Sequence, residues 1–355
     1  LHTLYLFTAN DIPTFLFPTT LFALFASLSG PLLTSNPSPS ILSLLSRIPL
    51  AFIITWSNLL IFDVSNQRAP SAVAEDAINK PQRPLPSGRI TPSASRHLLL
   101  VAIPIVLALG WSAGCWQETL LLLTMTWMYN DLQGCDDHFL LRNFLIAVGY
   151  GLYSSLALRA LLGKGHTINS TGWQWIVFIT MVMFVTQHIC DIKDAEGDRV
   201  RGRKSAPIVL GDEMVRWTVA VPVLVCSVAG PWLFGLGVSS YLSTSVVGGI
   251  VAGRTILCRD LKADKLTWKI WAFWTCWLFA LPLVKNPEVV LSAWEAVKGM
   301  LCPGGDCSGG LNLVAVGSVA MAVKGKRMYD LGGGGELHGN GSMTVPILRV
   351  EGVVL

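Results

Sequence analysis

Apolar residues in this chain gather into long runs instead of alternating with polar ones. A helix crossing the hydrocarbon core of a bilayer needs about 20 predominantly apolar residues. Runs of about that kind lie near 13–33, 44–63, 97–114, 116–131, 143–162, 173–190, 216–237, 241–258 and 267–284. The fourth is short, and only a tight turn around Gly114 separates it from the third. Pro104, Gly149, Gly151, Pro222 and Pro231 fall inside runs, which membrane helices tolerate where neighbours satisfy the freed backbone groups. The pattern predicts an all-α membrane protein of nine transmembrane helices over residues 1–284. Residues 285–355 are Gly-rich without a clear period, and the apolar stretch 311–323 is too short to span. That tail is expected to be poorly ordered and is assigned no chemistry.

Composition supports lipid as the solvent. Of 355 residues, 52% are hydrophobic and 14% charged, and the mean hydropathy is +0.54; soluble domains carry about 25% charged residues. No basic run suits a nucleic-acid partner. The position of the basic residues is more informative than the net charge of +4. Arg68, Lys80, Arg83, Arg89 and Arg96 follow the second run, Arg142 the fourth, Lys193, Arg199, Arg201, Arg203 and Lys204 the sixth, and Arg259, Lys262 and Lys265 the eighth. By the positive-inside rule these loops and the N-terminus face the cytoplasm, which predicts a multi-pass protein of an endomembrane. The sequons at Asn169 and Asn340 and the pair Cys302 and Cys307 then fall on the opposite side. The remaining cysteines lie mostly in apolar runs, as small core residues do.

The sharpest polar feature lies at the cytoplasmic end of the sixth run. Asp191, Asp194 and Asp198 are spaced i, i+3, i+7, which on a continuous helix puts three carboxylates on one stripe. Such oxygens suit Mg²⁺, which takes one or two carboxylates together with substrate phosphates. Gly197 removes a side chain beside the stripe. A second cluster follows the second run: Asn66-Gln67, then Glu75-Asp76, Asn79-Lys80, Arg83 and Arg89. Its oxygens suit the metal and its cations suit phosphate oxygens directly. A third, Tyr129-Asn130-Asp131 with Asp136, Asp137, His138 and Arg142, lies on the same predicted face, as a pocket wall or a polar turn. His188, one turn before Asp191, reads as a hydrogen-bonded interior histidine or a base. Trp127 and Trp271 are candidates for the wall of an apolar chamber.

Two acidic clusters on one membrane face, half a bundle apart, resemble the two Asp-rich motifs of the UbiA superfamily. Residues 191–198, continued by Pro207-Ile208-Val209-Leu210-Gly211, resemble the second motif. Asn79-Lys80-Pro81 and Arg83-Pro84-Leu85-Pro86-Ser87-Gly88 resemble the segment after the first. The resemblance covers roughly residues 5–284. The first motif departs from the usual pattern: Gln67 stands where an Asp is usual, the next acids are Glu75 and Asp76, and the middle Asp has no counterpart. The resemblance implies a nine-helix bundle with Mg²⁺ as cofactor and a prenyl diphosphate as substrate. Asn66, Glu75, Asp76, Asp191, Asp194 and Asp198 are the implied metal ligands and catalytic residues. Lys80, Arg83, Lys193, Asn79 and Arg199 are the implied diphosphate contacts, with Tyr129, Asn130 and Asp131 as pocket residues. Transfer of the prenyl group to a lipophilic, aromatic-type acceptor comes first, and cyclisation of a C15 or C20 prenyl diphosphate is the alternative. A transporter is disfavoured, because the acids cluster at loop edges and no internal repeat is visible.

Overall fold

The computed structural model describes residues 1–287. Among them there is no strand, only one isolated antiparallel bridge, Thr34–Ile168. The helices are α1 (His2–Thr8), α2 (Phe17–Leu28, entered through a π-helical turn Ile12–Leu16), α3 (Ile41–Gln67), α4 (Pro70–Asn79), α5 (Pro92–Ala113), α6 (Trp116–Asn130), α7 (Gly134–Asp137), α8 (Phe139–Leu162), α9 (Ser170–Thr186), α10 (Ile189–Ile192), α11 (Ala195–Arg201), α12 (Ala206–Leu233), α13 (Val238–Leu257), α14 (Leu261–Phe279) and α15 (Leu281–Lys285). The sequons and cysteines beyond 287 lie outside the described residues, as does most of the Gly-rich tail.

Local chemistry sets these boundaries. Ser40, Thr91, Asn169 and Asp260 each accept a backbone N–H at a helix start, satisfying donors that have no partner within the helix. Asn169 also donates its amide to the Pro31 carbonyl at 2.9 Å, so the sequon residue serves the fold. Gly114 ends α5 in the left-handed region at φ 79°, which permits the immediate turn into α6. Pro70 stands at the first turn of α4, where a missing N–H costs nothing. The stretch after α3 is therefore a new helix and not an interrupted loop.

Each of the nine apolar runs lies largely within helix, but they are not equal. Among the described residues, five helices are long and apolar enough to cross a membrane: Ile41–Gln67, Pro92–Ala113, Phe139–Leu162, Ser170–Ile192 and Ala206–Leu233; the pair His2–Thr8 and Ile12–Leu28, bent by 59°, makes a sixth if taken as one span. α6 is only 15 residues long, and α14 carries Lys262, Asp264, Lys265 and Lys269. The core gathers Phe22, Trp175, Trp274 and Phe279 with the buried faces of α2, α3, α8 and α9. Large apolar residues also face outward, among them Leu100, Val101 and Ile105 on α5 and Val221, Val225 and Val228 on α12. In water such faces mark interaction surfaces; on a polytopic bundle they are the surface that lipid covers. Fully buried Arg216 holds α12 to α14 through two bonds to Asp264, at 2.8 and 2.9 Å.

The acidic stripe is where sequence and structure part. Residues 191–198 are not one helix: α10 stops at Ile192, Asp194 caps α11 with non-helical backbone (φ −105°, ψ 4°), and α11 starts at Ala195. The break lets α11 lie against α4. Gly197 makes that contact possible, because a Cβ there would stand 2.2 Å from the Asn79 amide nitrogen. Asn79 in turn donates to the Asp194 carbonyl at 3.1 Å.

Candidate active site

Between the π-helical turn before α2 and helices α3, α6, α8, α9 and α14 lies a cavity of about 180 Å³. Its wall is divided. Asn10, Asp11, Asn66, Glu75, Lys80, Arg83, Lys193, Asp194, Asp198 and Arg203 form a charged part, and Phe15, Leu122, Met125, Leu145, Met183 and Trp271 an apolar one. The helix ends supply the charged groups because α3, α4, the α10–α11 break and the α11–α12 loop all end in the same region, so the two acidic clusters meet in space.

Ion pairs organise the charged part. Arg83 bonds both oxygens of Asp76 at 2.9 and 3.0 Å and lies 3.6 Å from Asp11. Lys80 and Lys193 hold Asp194 at 3.3 and 2.7 Å. Arg142 clasps both oxygens of Asp191 and donates to the Tyr129 hydroxyl. Arg203 reaches Glu75, Asp198 and Asp136, and Arg201 reaches Glu75 and Asp136. Seven carboxyl groups thus surround six cations. When all are ionised the site holds one more negative charge than positive ones.

Burial and the neighbouring charges together set the titration of individual groups. Burial, with the Asp191 charge beside it, raises Asp198 to about 6 despite Arg142 and Arg203. Burial also raises Asp76, and Arg83 and Lys80 offset this only in part. Asp194 goes the other way: burial opposes its charge, but Lys80 and Lys193 outweigh burial and hold it far below the usual carboxylate range.

The sequence-derived residues fall into three groups. Asn66, Glu75, Lys80, Arg83, Tyr129, Lys193, Asp194 and Asp198 line the cavity. Asp76 and Asp191 are buried just behind it, held by Arg83 and Arg142, and Asn79 ties α4 to α11. Three lie elsewhere: Arg199 is exposed, Asp131 pairs with Arg68, and Asn130 bonds back to the Thr126 carbonyl. α11 is short and turned, so its arginines point in different directions, and Arg203, just after it, lines the cavity in place of Arg199. Trp271 lines the cavity while Trp127 is exposed. Asn10 and Asp11 carried no signal beyond lying just before the first apolar run.

Mg²⁺ is tested by the donors present. The buried Asn66 Oδ1 and Asp198 Oδ2 have no hydrogen-bond partner, and both residues line the cavity. Hard oxygens, two of them unsatisfied, fit a hard divalent cation. Among the described residues, no three His, Cys, Asp or Glu side chains stand close enough to hold a metal ion by themselves. This too fits Mg²⁺, which keeps waters and shares substrate phosphate oxygens.

An all-helical membrane bundle, with acidic clusters and interleaved cations at the head of an apolar chamber, defines a class of membrane enzymes acting on lipid-like anionic substrates. The profile of the UbiA prenyltransferase family matches residues 16–277, and the chain belongs to that family. Somaliensene A/B synthase of Streptomyces somaliensis is 28% identical, over 77% of this chain and 89% of its own length. Fumagillin beta-trans-bergamotene synthase of Aspergillus fumigatus is 26% identical, over 80% and 92%. Polyprenyl transferase eriF of Hericium erinaceus is 24% identical, over 65% and 79%. In fold the chain resembles a UbiA homolog from Archaeoglobus fulgidus bound to DMAPP and Mg²⁺, with a TM-score of 0.54, 13% identity and coverage of 79% of this chain and 98% of that one.

Proposed function

We propose that the chain ionises a prenyl diphosphate in this cavity with Mg²⁺ and turns the resulting cation into a cyclic terpene. The observation that carries the reading is the division of the cavity wall: a charged part suited to a metal-bridged diphosphate adjoins an apolar part suited to an isoprenoid chain. Asn66, Glu75, Asp194 and Asp198, which line the cavity, are the proposed metal ligands, with Asp76 and Asp191 behind them as the further acids of the set. Bound Mg²⁺ supplies the positive charge that a departing diphosphate requires. The protein contributes cations that exchange partners: Lys80, Lys193, Arg83 and Arg203 leave their carboxylates and take phosphate oxygens. The apolar wall excludes water from the cation. Trp268 already holds the Lys193 ammonium 4.4 Å from its ring centroid, and aromatic faces stabilise cationic charge in this way.

Cyclisation leads because the synthases of S. somaliensis and A. fumigatus match over most of both chains, and diterpene cyclase eriG of H. erinaceus matches over 72% of this chain. Prenyl transfer to a lipophilic acceptor is the second reading, favoured by the polyprenyl transferase eriF and by the family's own description. Residues 1–284 form the proposed catalytic domain, spanning an endomembrane nine times with the cavity mouth toward the cytoplasm.

The test is an assay of membranes carrying the chain. C10, C15 and C20 prenyl diphosphates are supplied separately, with Mg²⁺ or EDTA and without acceptor, and hydrocarbons are extracted. A Mg²⁺-dependent cyclic product is expected. Diphosphate release that requires an added aromatic acceptor and yields a prenylated product overturns cyclisation in favour of transfer.

A further inference from the structure

A polar chain runs from the α12 backbone to the cavity through residues with no part in the metal or diphosphate chemistry. Gln187 donates from Nε2 to Asn143 Oδ1 at 2.6 Å. With that oxygen occupied, Asn143 Nδ2 faces His188 Nδ1 at 3.2 Å. An amide nitrogen can only donate, so His188 Nδ1 is the acceptor and its proton sits on Nε2. His188 Nε2 then donates to Thr218 Oγ1 at 3.0 Å, and Thr218 donates to the Val215 carbonyl at 2.8 Å. Every donor in the series points the same way, toward α12. The direction requires neutral His188 and gives both ring nitrogens partners inside the protein. His188 is thereby no free base.

The other end of the series is Gln187. It lines the cavity, whereas Asn143, His188 and Thr218 do not. With Nε2 tied back to Asn143, its amide oxygen is left with a single weak partner, the Cys190 thiol at 3.5 Å, and Cys190 lines the cavity too. Apolar Met183, Gln187, Cys190 and charged Asp194 follow one another in the chain and all line the cavity, so the amide comes between an apolar and a charged wall residue in sequence. A buried amide that is 4% exposed and fixed through three helices is costly to place in an apolar wall unless it meets a partner there.

We infer that Gln187 is a catalytic residue that presents its amide oxygen to the carbocation, with Asn143, His188 and Thr218 as the positioning residues that hold it there. The assignment rests on the ionisation proposed above. A fixed carbonyl dipole stabilises positive charge developing in the chamber without rearranging at the moment of reaction. An amide oxygen is also a much weaker nucleophile than a carboxylate, so the cation is held without being captured. Its position along the wall sets which carbon carries the charge longest, and so which product forms.

The test uses the full chain in lipid nanodiscs with the prenyl diphosphate that gives the wild type its highest diphosphate release. Gln187→Met keeps the length and bulk of the side chain and removes the amide. The expected result is kcat lower by about tenfold or more with KM little changed, because the interaction is made with the cation and not with the ground state, together with an altered product ratio. Thr218→Val, outside the cavity, is expected to shift the product ratio in the same direction by less. Gln187→Asn, which keeps the amide but withdraws it by one methylene, is the second variant should Gln187→Met not fold, and is expected to show the same split between kcat and KM. Wild-type kcat and product ratio in a folded Gln187 variant overturn the proposal. So does a loss confined to KM, which would make Gln187 a ground-state contact. Absence of diphosphate release from the wild type under all three substrates overturns the ionisation reading itself, and is distinguished by requiring no variant.

Discussion

Single residues in this site differ because their surroundings do. Asp194 lies between two ammonium groups and stays ionised throughout the physiological range. Asp198, three residues into α11, is raised to about 6 by burial and by Asp191. Its value in the folded, metal-free protein thus lies above the unfolded value of about 4. The stability this group contributes is fully present below about pH 4 and is lost as pH rises through 6. A bound cation relieves the ionised form, and a proton competes with that cation. Mg²⁺ is therefore expected to raise the Tm of the protein in detergent more at pH 7 than at pH 5. The Asp198→Asn variant should lose this pH dependence; equal Mg²⁺ shifts for the wild type at the two pH values would contradict the assignment. Asp194→Asn leaves Lys80 and Lys193 without their shared carboxylate. It is expected to lower Mg²⁺-dependent diphosphate release by about a hundredfold or more while the protein still elutes as a folded species. Full activity in that variant would remove Asp194 from the metal set.

At the scale of elements, the site depends on two short helices packed at right proximity. α4 brings Glu75, Asp76 and Asn79, α11 brings Asp198, and Gly197 is the point where they touch. Gly197→Ala places a methyl group against the Asn79 amide and breaks its bond to the Asp194 carbonyl. A loss of about 1–3 kcal/mol in stability is expected from the forced displacement, with a fall in Mg²⁺-dependent activity. If the clash with Asn79 is the cause, Asn79→Ala relieves it: the double variant should be more stable than the sum of the two single changes by about 0.5–3 kcal/mol. Strict additivity in thermal unfolding would place the cost of the methyl group elsewhere. The same packing explains the broken acidic stripe. A continuous helix through 191–198 would carry Asp198 along the bundle and away from Glu75 and Arg203.

At the scale of the whole molecule, solvent choice dominates. In a bilayer the outward apolar faces on α5 and α12 would meet lipid, and buried polar contacts join the helices inside: Arg216 with Asp264, Arg142 with Asp191 and the Asn143–His188–Thr218 series. The proposed orientation makes a direct prediction. A cysteine introduced at Ser87, between α4 and α5, should react with a membrane-impermeant maleimide from the cytoplasmic face of sealed vesicles. One at Gly165, between α8 and α9, should react only from the other face. Labelling of both from one side would overturn the topology. The expected labelling places the cavity mouth on the cytoplasmic side.

The hydrophobic pattern determined much of this by itself. Burial in lipid requires long apolar helices with internally satisfied backbones, so every apolar run reads as helix and the loops between them read as polar. The two acidic clusters were equally legible, because carboxylates and cations concentrated at helix ends are rare in so apolar a chain. Periodicity could not reveal the break at Asp194, since i, i+3, i+7 spacing is the same in a straight helix and in one interrupted by a turn. Nor could it tell Arg199 from Arg203, whose directions are set by how α11 lies on α4. Asp11 and Asn143 were invisible for the same reason: each is an isolated polar residue whose partner lies tens of residues away. Tertiary packing alone decided which carboxylates face the cavity, which cations neutralise them, and where a chain of hydrogen bonds ends. Those are properties of distance and direction between helices, and a local sequence pattern carries neither.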